Sequence, residues 1–430
     1  MSTINCSAYQ PLSDNCTDKA TQADSDAEQE PQKLLGPWST GLSIFKGFVG
    51  TGILYGPTSF VSGGSAFSAV ALILSLVLTL YCIGLLLEVR SALGGHLSYS
   101  EMGVAALGSK GRTLCDVVIF MSQVGFVIAF IYFIASQTLR LLDSSRGEWG
   151  LAPLDEKYKW AFLPIIFLII MPMLMVHKPQ KFARAHIFAD VVILFTVAAI
   201  LYFVVQSIQS NGWMATDLPL INRDKWANVI GFAVYSFEGV GVILPIQDMT
   251  ANKQDYFRVV CITVTVIAAA YVIFSELCLY AWYDRFSADA PLIIEYLPRD
   301  SLFCWVLILI FNVNMVISYV LVIYPASKVL DRLFLSEIET GPKKRVYKNL
   351  LRACLLIATI VIALTVWNKL NTFLAIAGSL AMTPVAFILP PMFHYIVCAE
   401  TGRQKLIDVA LIWFGLIVMV FCTSFAILTW

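Results

Sequence analysis

Two short glycine phrases, one near the start of each half of the chain, carry the chemistry that this sequence offers most directly. Gly50-Thr51-Gly52-Ile53-Leu54 precedes Pro57, and Gly239-Val240-Gly241-Val242-Ile243-Leu244 runs into Pro245. Both lie in apolar stretches, where glycine and proline are poor helix formers. In hydrocarbon every backbone N–H and C=O must be satisfied, so a broken helix persists only where the freed groups bind something or line a cavity. A half-helix starting near Ile53 presents free amides and the positive end of its dipole, which together suit a carboxylate. The break at Phe237-Glu238-Gly239, after Ser236, leaves carbonyls at the end of the preceding half-helix, and these suit an ammonium group. A zwitterionic amino acid fits both poles. The plainer alternative is that the glycines are packing points between helices.

Ionisable residues inside a membrane are costly and read as functional candidates. Glu238 is the strongest, at the centre of its apolar segment and beside the break. Its carboxyl group could exchange a proton during a transport cycle or anchor the unwound backbone, and the residues leave both roles open. Glu276 and Asp190 lie nearer segment ends, and Lys46 can snorkel toward the aqueous face. Asn312, Asn314, Ser318 and Tyr319 share one apolar run, where such side chains usually bond to neighbouring helices. The four histidines, His96, His177, His186 and His394, form no metal-binding or catalytic spacing. His186 and Asp190 are spaced to meet on one helix face as a surface pair. The 10 cysteines are spread thinly without a C-x-x-C pair. Only Cys278 and Cys304 are placed for a possible disulfide.

These residues must be positioned by membrane helices. Hydrophobic residues make up 58% of the chain and charged ones 13%, about half the charged fraction of a soluble protein. Net charge is zero, which gives no support to a nucleic-acid partner. Eleven apolar runs reach the roughly 20 residues that cross a bilayer: 39–61, 65–89, 114–141, 160–176, 185–207, 226–247, 257–283, 301–328, 348–367, 371–397 and 406–429. Ser62-Gly63-Gly64-Ser65 between the first two is long enough only to reverse direction. Most Lys and Arg fall in the loops after even-numbered spans, with Lys343, Lys344, Arg345, Lys348 and Arg352 the densest group. The positive-inside rule then places the N-terminus in the cytosol and the C-terminus outside or in a lumen.

Residues 1–37 are polar, lack a signal-peptide pattern and read as a disordered cytosolic tail. A cytosolic tail makes the glycosylation matches at Asn5 and Asn15 fortuitous. Glu30-Pro31-Gln32-Lys33-Leu34-Leu35 has the form of an acidic dileucine signal for a sorting adaptor. Its alternative is that Leu34 and Leu35 begin the approach to the first span.

The stretch Phe232-Ala233-Val234-Tyr235-Ser236-Phe237-Glu238-Gly239-Val240-Gly241-Val242-Ile243-Leu244-Pro245 resembles the sixth-helix signature of the amino acid/auxin permease family of the APC superfamily, in its proton-assisted and vacuolar branches. Lys46-Gly47-Phe48-Val49-Gly50-Thr51-Gly52-Ile53-Leu54 is similar to the first helix of that family. Ser122-Gln123-Val124-Gly125-Phe126, Tyr324-Pro325 closing the eighth span, and Ala386-Phe387-Ile388-Leu389-Pro390-Pro391 match in order. The resemblance implies an all-α polytopic membrane protein of 11 helices with a LeuT-type 5+5 inverted repeat. Residues 38–207 and 226–397 would form the repeats, with helices 1 and 6 broken and 406–430 added. It implies substrate contact at Gly50, Thr51, Gly52, Ile53, Ser236, Phe237, Glu238 and Gly239.

In sodium-coupled proteins of that fold an ion sits between the first break and a hydroxyl of the eighth helix, positions matched by Val49 and Ser318. The most similar branches use protons, so H+ is the expected coupling ion, with Na+ as the alternative and no cofactor or metal. The expected function is secondary active transport of neutral amino acids by alternating access at a vacuolar, lysosomal or plasma membrane. An amino acid sensor using the same pocket is the rival reading. A membrane enzyme would need convergent catalytic groups that the sequence does not gather.

Overall fold

Backbone satisfaction dictates helices through the apolar runs, and the computed structural model of the chain is built from them. It describes residues 34–50, 52–148, 156–175, 183–212, 218–237, 239–286, 292–298, 301–338 and 341–430. Among the described residues nine helical stretches are long and apolar enough to cross a membrane. The first expected span is divided into α1, Pro37–Phe48, and α2, Gly52–Gly63. The chain continues through α3 (Ser65–Ala92), α4 (Tyr99–Leu107), α5 (Ser109–Glu148), α6 (Phe162–Leu174) and α7 (Ala183–Asn211). The second half holds α8 (Trp226–Ser236), α9 (Val240–Met249), α10 (Tyr256–Trp282), α11 (Leu302–Leu335), α12 (Pro342–Thr365), α13 (Leu370–Val397) and α14 (Gly402–Leu428). This is an integral membrane protein with an all-helical fold.

Several boundaries differ from the sequence expectation. Tyr324-Pro325 does not close the eighth span: Pro325 lies inside α11, which continues to Leu335. The helix survives because Pro325 removes only one amide, the donor to the Leu321 carbonyl, while α11 stays packed on its neighbours on both sides of it. The segment 90–113 is not simply a loop, because Ser98 and Glu101 form a capping box that starts α4. Lys343, Lys344 and Arg345 stand in the first turn of α12. Cys278 and Cys304 are buried free thiols, not a disulfide.

The helices pack in two groups. In one, α5, α6, α11 and α12 pack against one another. Phe133 of α5 meets Phe311 of α11 with ring centroids 4.7 Å apart, and the hydroxyls of Tyr319 and Thr359 join α11 to α12 at 2.9 Å. Arg352 of α12 donates to the Leu174 carbonyl at 2.8 Å, satisfying the end of the short α6. Asn312 reaches Thr138 of α5 at 3.3 Å, so the expected helix-to-helix bonds of this polar group are present. In the other group, α1 and α2 pack on α10, and α8 packs on α2 and α3. Buried Arg90 of α3 holds α9 by donating to the Leu244 carbonyl and Gln247 at 2.8 Å each and to both Asp248 oxygens at 2.7 and 2.6 Å.

The two broken helices are linked reciprocally. Leu35, leading into α1, donates to Met249 at the end of α9 at 2.8 Å, and Ala251 returns a bond to Leu35 at 3.0 Å. Asn222, leading into α8, donates to Gly63 at the end of α2 at 2.9 Å, while Ser65 and Phe67 donate to Pro219 and Leu220 at 3.1 Å each. Gly64 makes the second clasp possible. Its φ is +86°, and a Cβ there would lie 2.7 Å from the Pro219 and Leu220 carbonyls. The first clasp spends the backbone of Leu35, whereas Leu34 is 58% exposed and Glu30 lies outside the described residues.

Candidate functional site

Both expected breaks are present, and they meet. The first runs from the end of α1 at Phe48 to the start of α2 at Gly52, and the second from Ser236 to Val240. Phe48 packs its ring on Gly239, where a Cβ would lie 2.5 Å away, and Gly47 takes the side chain of Val242. These glycines therefore serve close approach rather than unusual dihedrals, since Gly239 has an ordinary φ of −136°. Gly50 and Gly241 are different: among the described residues, chain neighbours aside, no atom lies within 4 Å of a Cβ placed at either. Open space therefore adjoins each phrase.

The two poles are partly occupied by the chain itself. At the amide pole, the hydroxyl of buried Tyr271 on α10 lies against the backbone amide of Ile53. That hydroxyl lies 2.9 Å from where a Gly52 Cβ would be. At the carbonyl pole, the Val234 carbonyl accepts Phe237 N–H at 3.3 Å and the Phe232 carbonyl accepts Ser236 Oγ at 2.9 Å. Ser236 thus turns its hydroxyl back onto its own helix. Ser75 of α3 donates to the Ala233 carbonyl at 3.1 Å. A carbonyl oxygen has two lone pairs, so these bonds orient the helix end and still leave acceptor capacity. Phe126 of α5 and Tyr235 of α8 close one side with centroids 4.8 Å apart.

Thr51 and Glu238, both expected at the site, lie outside the described residues. Val49 is buried at the cap of α1, its N–H bonded to Phe45 at 2.7 Å. Ser318 lies on α11, in the other packed group, and donates to Asn314 at 3.3 Å, whose amide in turn reaches the Ala189 carbonyl of α7 at 3.2 Å. Opposite α8, α13 loses regular α geometry: Ala377–Met382 and Pro384–Ile388 are π-helical. Gly378 and Gly231 bring the two backbones into contact there, and Thr383 Oγ1 satisfies the Gly378 carbonyl at 3.0 Å. Local π geometry of this kind concentrates at functional sites.

A family model described as transmembrane amino acid transporter protein matches residues 34–428. The chain belongs to this family. Among curated relatives of this transmembrane amino acid transporter family member is "Vacuolar amino acid transporter 3" of Schizosaccharomyces pombe, 28% identical, covering 92% of this chain and 60% of that protein. The Saccharomyces cerevisiae protein of the same name is 26% identical over 90% of this chain and 56% of its own length. The chain therefore spans less than two thirds of those yeast relatives. "Amino acid transporter AVT3B" of Arabidopsis thaliana is 28% identical and matched over 89% of this chain and 91% of its own.

Two solved structures share the LeuT-type architecture of this family member. Mhp1, a nucleobase-cation-symport-1 family transporter, aligns with a TM-score of 0.51 and 14% identity, covering 93% of this chain and 94% of that one. MhsT in complex with L-phenylalanine aligns with a TM-score of 0.50 and 9% identity, covering 90% and 98%. The residues that sequence reading missed in this transporter-family site are Phe48, Ser75 and Tyr271. Phe48 stands in the first-helix motif but was not singled out, whereas Ser75 and Tyr271 stand in no motif and only the rotation of their helices brings them to the breaks.

Proposed function

We propose that this chain is a secondary active transporter of neutral amino acids, coupled to protons and working by alternating access in a vacuolar or lysosomal membrane. The observation that carries the reading is the meeting of the two breaks, with Phe48 seated on Gly239 between an amide end and a carbonyl end. An α-amino acid has its carboxylate and ammonium on adjacent carbons, so one molecule can address both ends. Family membership and the printed names of the relatives support the substrate class and the vacuolar location. The basic loops support eleven crossings with a cytosolic N-terminus.

In this reading α1, α2, α8 and α9 rock against α5, α6, α11 and α12, and residues 38–207 and 226–397 act as inverted repeats. Thr51 and Gly52 contact the carboxylate, and Glu238 carries the coupling proton or anchors the second break. H+ is preferred over a sodium ion held by Val49 and Ser318 because the family branches that the chain most resembles use protons.

The purified full chain in liposomes, given a pH gradient and then a sodium gradient, should accumulate labelled amino acid under the pH gradient. No uptake or exchange with any of the common amino acids would sink the transport reading, and binding without flux would favour the sensor. Glu238→Gln should abolish proton-driven uptake and leave exchange intact; loss of both assigns it the anchoring role.

A further inference from the structure

Away from the breaks, α13 and α14 bury a pair of titratable side chains that the transport reading does not use. His394 Nδ1 and Asp408 Oδ2 are 2.7 Å apart, and the two residues are 3% and 1% exposed. On its other side His394 Nε2 faces Glu88 Oε2 of α3 at 3.7 Å, and it has no hydrogen-bond partner among the described residues. The Glu88 side chain is 54% exposed and lines a cleft of about 560 Å³ shared with Gln247, Lys253 and Tyr256.

Proton counting shows what this geometry lacks. A neutral imidazole carries one N–H, so it can satisfy only one of two carboxylates. If Nδ1 donates to Asp408, the Nε2 lone pair faces the Glu88 carboxylate; if Nε2 carries the proton, a lone pair faces Asp408 at 2.7 Å. With one more proton both contacts become attractive, through an imidazolium between two carboxylates or a protonated carboxyl on either side. The remaining polar groups around the pair are Tyr81 and Cys82 of α3 and Arg403 of α14. Tyr99 of α4 packs on Phe393, and its hydroxyl is committed to the Val385 carbonyl at 2.7 Å.

We propose that Glu88, His394 and Asp408 form a proton-binding site in which the buried pair takes one proton from the cleft through Glu88, tying α3 to α13 and α14. Glu88 stands two residues before Arg90, whose guanidinium holds Leu244, Gln247 and Asp248 of α9. Proton occupancy at this site is therefore mechanically connected to the helix that begins at the second break.

The test needs neither substrate nor gradient, so its failure is separate from failure of the transport reading. The full chain carrying ¹⁵N-labelled histidine is placed in lipid nanodiscs and its imidazole signals are followed with pH, His394→Gln identifying those of His394. The expected result is a pH-dependent change in those signals that in Glu88→Gln needs about tenfold more protons, through loss of a facing negative charge. Glu88 is half exposed, so that variant leaves the packing intact; Asp408→Asn should move the midpoint the same way. Amide protection factors over 389–397, taken relative to the intrinsic exchange rate at each pH, should also rise when the site is protonated. Histidine signals that do not change with pH, or a midpoint unmoved by Glu88→Gln, would overturn the site, and protection factors independent of pH would overturn the tie.

Discussion

Phe48 lies with its ring on Gly239, joining the last residue of one helix to the start of the next half-helix in the opposite half of the chain. The two breaks are thereby one structural unit. A side chain at 239 would push α1 away from α9, because the ring atoms stand 2.5 to 2.7 Å from a Cβ there.

Gly239→Ala should accordingly lower stability by about 1–3 kcal/mol, the usual cost of forcing an extra methyl into a packed site. Thermal unfolding in nanodiscs measures it. Pairing it with Phe48→Leu should recover more than half of the loss, and a pair that is merely additive would show that the ring is not what 239 accommodates.

Tyr271 offers a different handle, since its hydroxyl sits on the Ile53 amide where a carboxylate is expected. In the proposed site the Tyr271 oxygen faces the Ile53 amide while its O–H donates to the substrate carboxylate, so Tyr271→Phe should weaken amino acid binding about tenfold, the worth of one hydrogen bond to a charged group, and leave the amino alcohol analogue unaffected. Gly52→Ala should also weaken binding, because its Cβ meets that hydroxyl at 2.9 Å, and adding Tyr271→Phe should partly restore the geometry. Isothermal titration with both ligands checks each expectation.

The reciprocal clasps predict opposite effects at opposite ends. Leu35→Pro removes the N–H that Met249 accepts, and Asn222→Pro removes the one that Gly63 accepts. Hydrogen exchange should rise roughly fivefold around 249–251 in the first variant and around 63–67 in the second, matching about 1 kcal/mol per lost bond. Equal effects at both ends in either variant would refute two separate clasps.

Arg90 should matter more than an ordinary surface ion pair. The guanidinium is buried but Asp248 is 40% exposed, so Arg90→Met is expected to cost about 2 kcal/mol, below the 3–5 kcal/mol of a fully buried pair. A double-mutant cycle with Asp248→Asn, read by unfolding midpoint, isolates the coupling between them.

The sequence by itself determined the features that depend on local composition. Apolar runs must become helices in hydrocarbon, and the two glycine phrases within them mark where the spans break, so the helix ends at Ile53 and Phe237 were legible from residue type. The order of the family's motifs from Lys46 to Pro391 was equally readable. Tertiary structure decided which side of each helix faces which neighbour. Lipid and protein interior both accept apolar side chains, so a nearly all-apolar helix does not announce its rotation. That rotation placed Phe48 on Gly239, Tyr271 on the Ile53 amide, and His394 between Asp408 and Glu88. It also carried α11 through Pro325, because one lost amide bond is outweighed by the packing of the helix on its neighbours.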